Sequence, residues 1–363
     1  MVTLHIQRSY FGDNNQVFFE DDSFCAKLFR YSSGIPAIRL SNRVGGITVL
    51  PYHGQMIWDA AFFGRDIKMK TSFSQPLDVQ SYMDTYGCYL MYCGALRMGH
   101  PGKYDTHPLH GELPYARYQK AYITCGQDER GDYLGVGGEF EYNRAFGDHY
   151  TAHPLCKLYS NSGVLDISMK IYNQAKTPME LMFLFHINNE LADGGRFIQP
   201  CNWNNRSMSL TNPPSDEGLT PVQRELRTLL MHSPEKTRII RPDFLYEPEF
   251  TYDLHQLKGD EQGIAHFMQI HPDGSADYTG VELNGSLRNF GRWFSRTPNH
   301  SACSLCSPAT CGADGYTSQK LQGNVRMIDP GEDVTLKVST GTLSPSEASQ
   351  MEEHICKTLG EKA

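Results

Sequence analysis

The feature that most constrains what this chain can fold into is a succession of short apolar or alternating runs, each closed by turn-forming residues. Gln16–Phe19, Ala37–Leu40, Gly46–Pro51, Gln55–Phe63, Tyr89–Cys93, Tyr118–Cys125, Tyr133–Tyr142, His149–Ser160 and Val164–Tyr172 follow one another with Gly, Asn, Asp and Pro between them. Runs of this length and spacing read as strands, and Gly126 to Asp132 reads as the turn between two paired ones, so the expected arrangement is an antiparallel meander. Met179–Ile187 is almost continuously apolar, as in a strand buried on both faces, yet it delivers His186 at its end. Further strands are expected from about Glu249, through Gly263–Ile270, Val281–Leu287, Arg292–Ser295 and Val334–Leu343.

Only two segments read as helices. Thr220 is placed as N-cap of a helix running to Leu230 with Pro221 in its first turn, and Ser344 opens a C-terminal helix, about 344–361, with Met351, Ile355 and Leu359 on one stripe. Between Cys201 and Ser215 the composition turns to Asn, Arg, Ser and Pro, which marks a long polar connection. With 20 Tyr, 18 Phe and 33 Gly, the chain has the aromatic and glycine content of an all-β, β-rich protein with a few short helices. No repeat or linker divides it, so residues 1–363 are expected to form a single domain.

A net charge of −8 without a block of basic residues argues against nucleic acid and membrane surfaces as partners, and leaves small neutral or weakly charged ligands. Met1 to Tyr10 lacks the apolar run of a secretory signal and no later run is long enough to span a bilayer, so a cytoplasmic protein is expected. The 10 cysteines are scattered without secretory context and are expected to be reduced and mostly buried. Oligomeric state is not encoded in any of these features.

The chemistry concentrates in two places. Asp105-Thr-His107-Pro-Leu-His110-Gly-Glu112 packs two imidazoles and two carboxylates into eight residues, a density costly to bury unless each group is hydrogen-bonded or used. Read as an extended strand, it puts His110 and Glu112 on one face, with His107 and Asp105 at the mouth. The second cluster, His186-Ile-Asn188-Asn189-Glu190, sets an acid/base imidazole beside an amide that can hold a hydroxyl. Gln55, Trp58, Asp59 and Arg65, with Trp293 and Arg296, supply the indole faces and planar polar groups that recognise sugars. Arg65, Arg117 and Arg296 could also meet a phosphate or carboxylate. Two metal sets are conceivable: His107, His110, Glu112 and His186 as a nitrogen–oxygen site, and His300, Cys303, Cys306 and Cys311 as a structural zinc site, the second lacking a further tight knuckle.

At these residues the chain resembles the aldose 1-epimerase, or galactose mutarotase-like, superfamily. Pro108-Leu-His110-Gly111 is similar to its Leu-His-Gly signature and Phe185-His186-Ile-Asn188 to its second histidine strand. Gly54 to Asp59, Thr85-Tyr86-Gly87, Asp105 to Pro114 and Pro178 to Met182 are similar to a little-characterised bacterial branch of the superfamily. The resemblance implies a β-supersandwich with a cleft across one sheet and cofactor-free interconversion of sugar anomers. It makes His186 the candidate acid and His110 a ligand of the ring or anomeric oxygen. The superfamily carries its base as a glutamate on a late strand, whereas the segment aligned with it, Ala302 to Thr310, holds no acid and Ser307 cannot replace one unaided. Glu112 is the nearest substitute and Glu282 a weaker one. The leading expectation is therefore an epimerase-type isomerase acting on an aldose or modified sugar. The alternatives are a sugar-binding or sensing protein without turnover and a metal-dependent sugar isomerase or oxygenase.

Overall fold

In the computed structural model, which describes residues 1–79, 81–212, 217–247 and 249–360, the strands form two large antiparallel sheets. The first has nine strands in the order Val2–Ile6, Lys120–Asp128, Gly131–Asn143, His149–Tyr159, Val164–Asn173, Asp333–Leu343, Ala276–Glu282, Ile264–Ile270 and Arg196–Ile198. The second has twelve, running Met208–Asn212, Phe250–Leu254, Asn289–Arg296, Ser301–Ala309, Leu184–Ile187, Leu90–Cys93, Ile57–Phe62, Gly45–Val49, Pro36–Ser41, Cys25–Arg30 and Gln16–Glu20, with Arg65–Asp66 paired to Ile57–Phe62. The expected all-β class thus holds. Consecutive strands pair with each other in two long runs, from Gln16–Glu20 to Arg65–Asp66 and from Lys120–Asp128 to Val164–Asn173, where tight connections such as Glu129-Arg130 leave no chain for a crossover.

One continuous apolar core fills the space between the sheets. Phe185 and Ile187 of the second sheet enter it, as do Ile167, Met169 and Ile171 of the first. Alternation sends Leu184 and His186 to the opposite face, where Leu184 joins a second cluster with Trp58, Tyr82, Cys88 and Met91. That outer cluster is the floor beneath the candidate site. A buried ion pair also links the layers: Arg65 Nη2 donates to Asp277 Oδ1 at 2.7 Å and to Thr342 at 2.8 Å.

Three helices occur among the described residues: α1 (Pro221–His232), α2 (Tyr316–Leu321) and α3 (Pro345–Leu359). The helices α1 and α3 open with the capping boxes Thr220/Gln223 and Ser344/Glu347, and α3 ends on Gly360 at φ +78°. Ala348 and Ile355, with Met351 and Leu359, seat α3 on the outer face of the nine-stranded sheet. The expected last residue of that helix, 361, and the end of the polar connection at Ser215 lie outside the described residues. No helix among the described residues is long and apolar enough to cross a membrane.

Three expectations about local structure fail. Met179–Ile187 is two strands, Met179–Leu181 pairing with Arg326–Ile328 and Leu184–Ile187 entering the large sheet, because the backbone at Met182 and Phe183 bonds to Ala95 and Thr310 instead. The expected strand Val281–Leu287 is displaced to Ala276–Glu282. Asp105 to Glu112 is not a strand but an irregular loop, ending in a short 3-10 turn at Leu113–Tyr115.

Candidate active site

The loop between Cys93 and Leu113 is held by close backbone contacts that only glycine permits. Gly94 and Gly111 bridge in parallel, and a Cβ on Gly111, whose φ is +80°, would lie 1.9 Å from the Arg97 carbonyl oxygen. His110 itself sits at φ +61°, with its N–H bonded to Gly99 and its carbonyl accepting from Gly94, both at 3.0 Å. This turn lays the His110 imidazole over the twelve-stranded sheet. There its ring centroid is 5.1 Å from that of His186 at 87°.

Around this imidazole pair the structure gathers residues from distant parts of the chain. Tyr82 stands 5.5 Å from His110, Tyr86 6.0 Å and Trp293 5.4 Å from His186, and His100 5.9 Å from His110, all between ring centroids. Tyr86 donates to Asn188 Oδ1 at 2.7 Å, and Asn188 donates to the Cys88 carbonyl at 3.0 Å, so the tyrosine ring is fixed against the histidine strand. The carboxylate of the cluster is Glu249. Its Oε2 accepts from the Trp293 indole N–H at 2.6 Å, and its Oε1 lies 3.3 Å from His100 Nε2.

Electrostatics separate the roles of these groups. Burial opposes ionisation of Glu249, but hydrogen bonds from His100 and Trp293 outweigh it and hold the carboxyl below its ordinary value. The hydrogen bond to Glu249 correspondingly raises His100. Burial pushes His186 down to about 4, against the pull of Glu249 and Asn188, and burial with the neighbouring imidazoles drives His110 well down. Hence at neutral pH the cluster holds an ionised carboxylate, one imidazole biased toward its charged form at the mouth, and two neutral imidazoles below it. His100 is the accessible member, its side chain 57 % exposed, whereas His110 and His186 are 5 % and 8 % exposed.

The sequence-derived candidates divide. His110, His186, Asn188 and Trp293 come together. Glu112 does not join them: its Oε1 accepts from the backbone N–H groups of Ala95 and Leu96, both at 2.9 Å, and from Tyr150 of the other sheet at 2.8 Å. The alternation that placed it beside His110 fails because the segment is a turn, so Glu112 holds the loop rather than facing a ligand. Asp105 is likewise a fastener, accepting from Gly102 and from the Thr317 N–H and hydroxyl of α2, with His107 beside it at 3.8 Å. Gln55 donates to Pro51 within a buried turn, and Trp58, 1 % exposed, is part of the floor beneath Lys68.

Each arginine considered for phosphate is already paired: Arg65 with Asp277, Arg117 with Asp78, and Arg296 with Asp193. Asp59 pairs with Lys68, and Glu282 is exposed on the nine-stranded sheet. Neither proposed metal set converges among the described residues. Cys303 and Cys306 enter the inter-sheet core while Cys311 joins the outer cluster.

Sequence reasoning missed His100 and Glu249. Each lies in an irregular stretch without periodicity, and what recruits each is tertiary. Gly99 packs so closely on Ala313 that a Cβ would lie 2.3 Å from its carbonyl oxygen, and Glu249 stands at the head of a strand hydrogen-bonded to the Trp293 strand.

Two antiparallel sheets packed face to face make a β-sandwich, with an imidazole cluster on the outer face of one sheet. The chain belongs to the family described as Domain of unknown function (DUF4432), whose model matches residues 32–341. Among solved structures, a protein from Klebsiella pneumoniae named a putative aldose 1-epimerase is similar over 100 % of this chain and 97 % of its own, with a TM-score of 0.83 and 14 % identity. A galactose mutarotase-like protein from Clostridium acetobutylicum is similar over 89 % of this chain and 100 % of its own, with a TM-score of 0.59 and 12 % identity. At such identities the likeness is one of fold. A search of curated proteins by sequence returns no match.

Proposed function

We propose that this protein interconverts the anomers of an aldose or modified sugar by acid/base catalysis at the His100–His110–His186–Glu249 cluster. The observation that carries the reading is the convergence of a carboxylate held ionised and three imidazoles on one spot beside an indole. Anomer exchange requires a base to take the O1 proton and an acid to protonate the ring oxygen. The ring then opens to the aldehyde, C1–C2 rotates, and closure occurs on the other face. Both oxygens are bonded to C1, so base and acid must lie close together, as Glu249 and His100 do.

Glu249 is the base. It fills the part that no residue of Ala302 to Thr310 can play, from a strand two positions along the same sheet. The acid must carry a proton at the working pH, which favours His100 over His186; the neutral imidazoles of His186 and His110 then hydrogen-bond the ring oxygen and a neighbouring hydroxyl. Trp293 offers its indole edge to Glu249 and its ring to the cluster, a natural surface for a sugar C–H face. The Glu249 carboxylate inside the imidazole cluster favours turnover over sugar binding alone.

Anomer exchange of a sugar panel, followed by saturation-transfer NMR, tests the proposal. Acceleration by the wild-type protein and a loss of about 10²-fold or more in Glu249→Gln are expected. Binding of a sugar without faster exchange would leave the protein a receptor and refute the enzymatic reading.

A further inference from the structure

Far from the sugar site, three side chains from separate elements meet where α3 crosses the nine-stranded sheet. Asp260 precedes the strand Ile264–Ile270, His266 lies within that strand, and His354 lies on α3. Asp260 Oδ2 is 3.1 Å from His266 Nε2 and 3.4 Å from His354 Nε2, and the two imidazole centroids are 5.2 Å apart at 74°. One ligand atom from each residue lies within 4.8 Å of the others, an arrangement no other His, Cys, Asp or Glu group attains among the described residues.

We propose that Asp260, His266 and His354 bind a divalent transition-metal ion of the zinc class, which ties α3 to the sheet. Zinc–nitrogen and zinc–oxygen bonds of about 2.0–2.2 Å in a tetrahedron separate neighbouring ligand atoms by about 3.4 Å, close to the spacings between Asp260 and each histidine. The surroundings aim the ligands. Oδ1 of Asp260 is occupied by the N–H groups of Gln262 and Ile264, both at 2.9 Å, which leaves Oδ2 directed at the imidazoles. The Tyr278 hydroxyl, 2.8 Å from His266 Nδ1, fixes that ring with Nε2 toward the centre, as partners outside the ligand set do in metal sites.

His266 is buried and His354 exposed, so the fourth position opens to water. The ion would add to an attachment that already includes Arg196–Glu352 and the Lys258 ammonium on the Leu359 carbonyl.

Calorimetric titration of the full chain with zinc chloride at neutral pH tests this. One equivalent is expected to bind and to raise the melting temperature. His354→Ala, an exposed change that leaves the fold intact, should weaken binding at least tenfold and remove the thermal shift, and Tyr278→Phe should weaken it about 10- to 100-fold. His100→Ala, in the other imidazole cluster, should leave the titration unchanged. Slower amide exchange in α3 on adding zinc, and its reversal by a chelator, should accompany binding. No binding at 100-fold excess over protein, binding indifferent to His354→Ala, or binding lost in His100→Ala would each overturn the assignment.

Discussion

Glu112 and Glu249 show how the same carboxylate chemistry is given opposite work by its immediate partners. Glu112 accepts three hydrogen bonds on one oxygen, which consumes it as a loop anchor. Glu112→Ala strands two buried backbone N–H groups and should cost about 1–3 kcal/mol in urea unfolding, with anomer exchange per folded molecule retained. Glu249→Gln should do the reverse. The pH profile gives a second test at this scale. Glu249 is held below its usual range, so the acid limb of the rate should fall below about pH 4.5; His100 is raised, so the alkaline limb should fall above about pH 6.5. Replacing His100 by Gln should abolish the alkaline limb; an unchanged limb would refute His100 as the acid. The sequence exposed His110 and His186 because motif and strand surround them, but the partnership of Glu112 depended on a backbone turn at His110 and Gly111 that periodicity does not encode.

Elements whose ends carry their own chemistry were the most legible. The caps of α1 and α3 follow from Thr220 and Ser344, each three residues before a side chain that reciprocates, and from Pro at the first helical position. Ser344→Ala should therefore destabilise the protein by about 1 kcal/mol in urea denaturation. Strands with a turn close at both ends, such as Gly131–Asn143 and His149–Tyr159, were also readable. The segment Met179–Ile187 was not, because an apolar run carries no mark of where its hydrogen bonds change partner. Its break at Met182 and Phe183 is imposed by Ala95 and Thr310, which are remote in sequence.

At the scale of the whole molecule, the two sheets share an apolar core and a buried charge network. Asp277 accepts from Arg65 at 2.7 Å, from Gln269 at 3.0 Å and lies 3.0 Å from His271, so its carboxylate is the polar junction between layers. Arg65→Met removes the cation and leaves that carboxylate less well compensated, and a loss of about 3 kcal/mol or more is expected by thermal or urea unfolding. The same packing creates the site's floor: Trp58, which the sequence offers as a sugar platform, is used instead to fill the outer cluster. Trp293, near the far end of the sheet, is the half-buried indole that stands beside His186.

The sequence by itself determined the all-β class, most strand positions, both long helices with their caps, and the two histidines at the centre of the site. These depend on alternation, turn chemistry and capping, which act over a few residues. Only the tertiary structure decided which carboxylate meets those histidines, which tryptophan stands beside them, and that His100 joins them. Such choices depend on sheet order and on close backbone contacts between segments far apart in the chain, where local pattern has no reach.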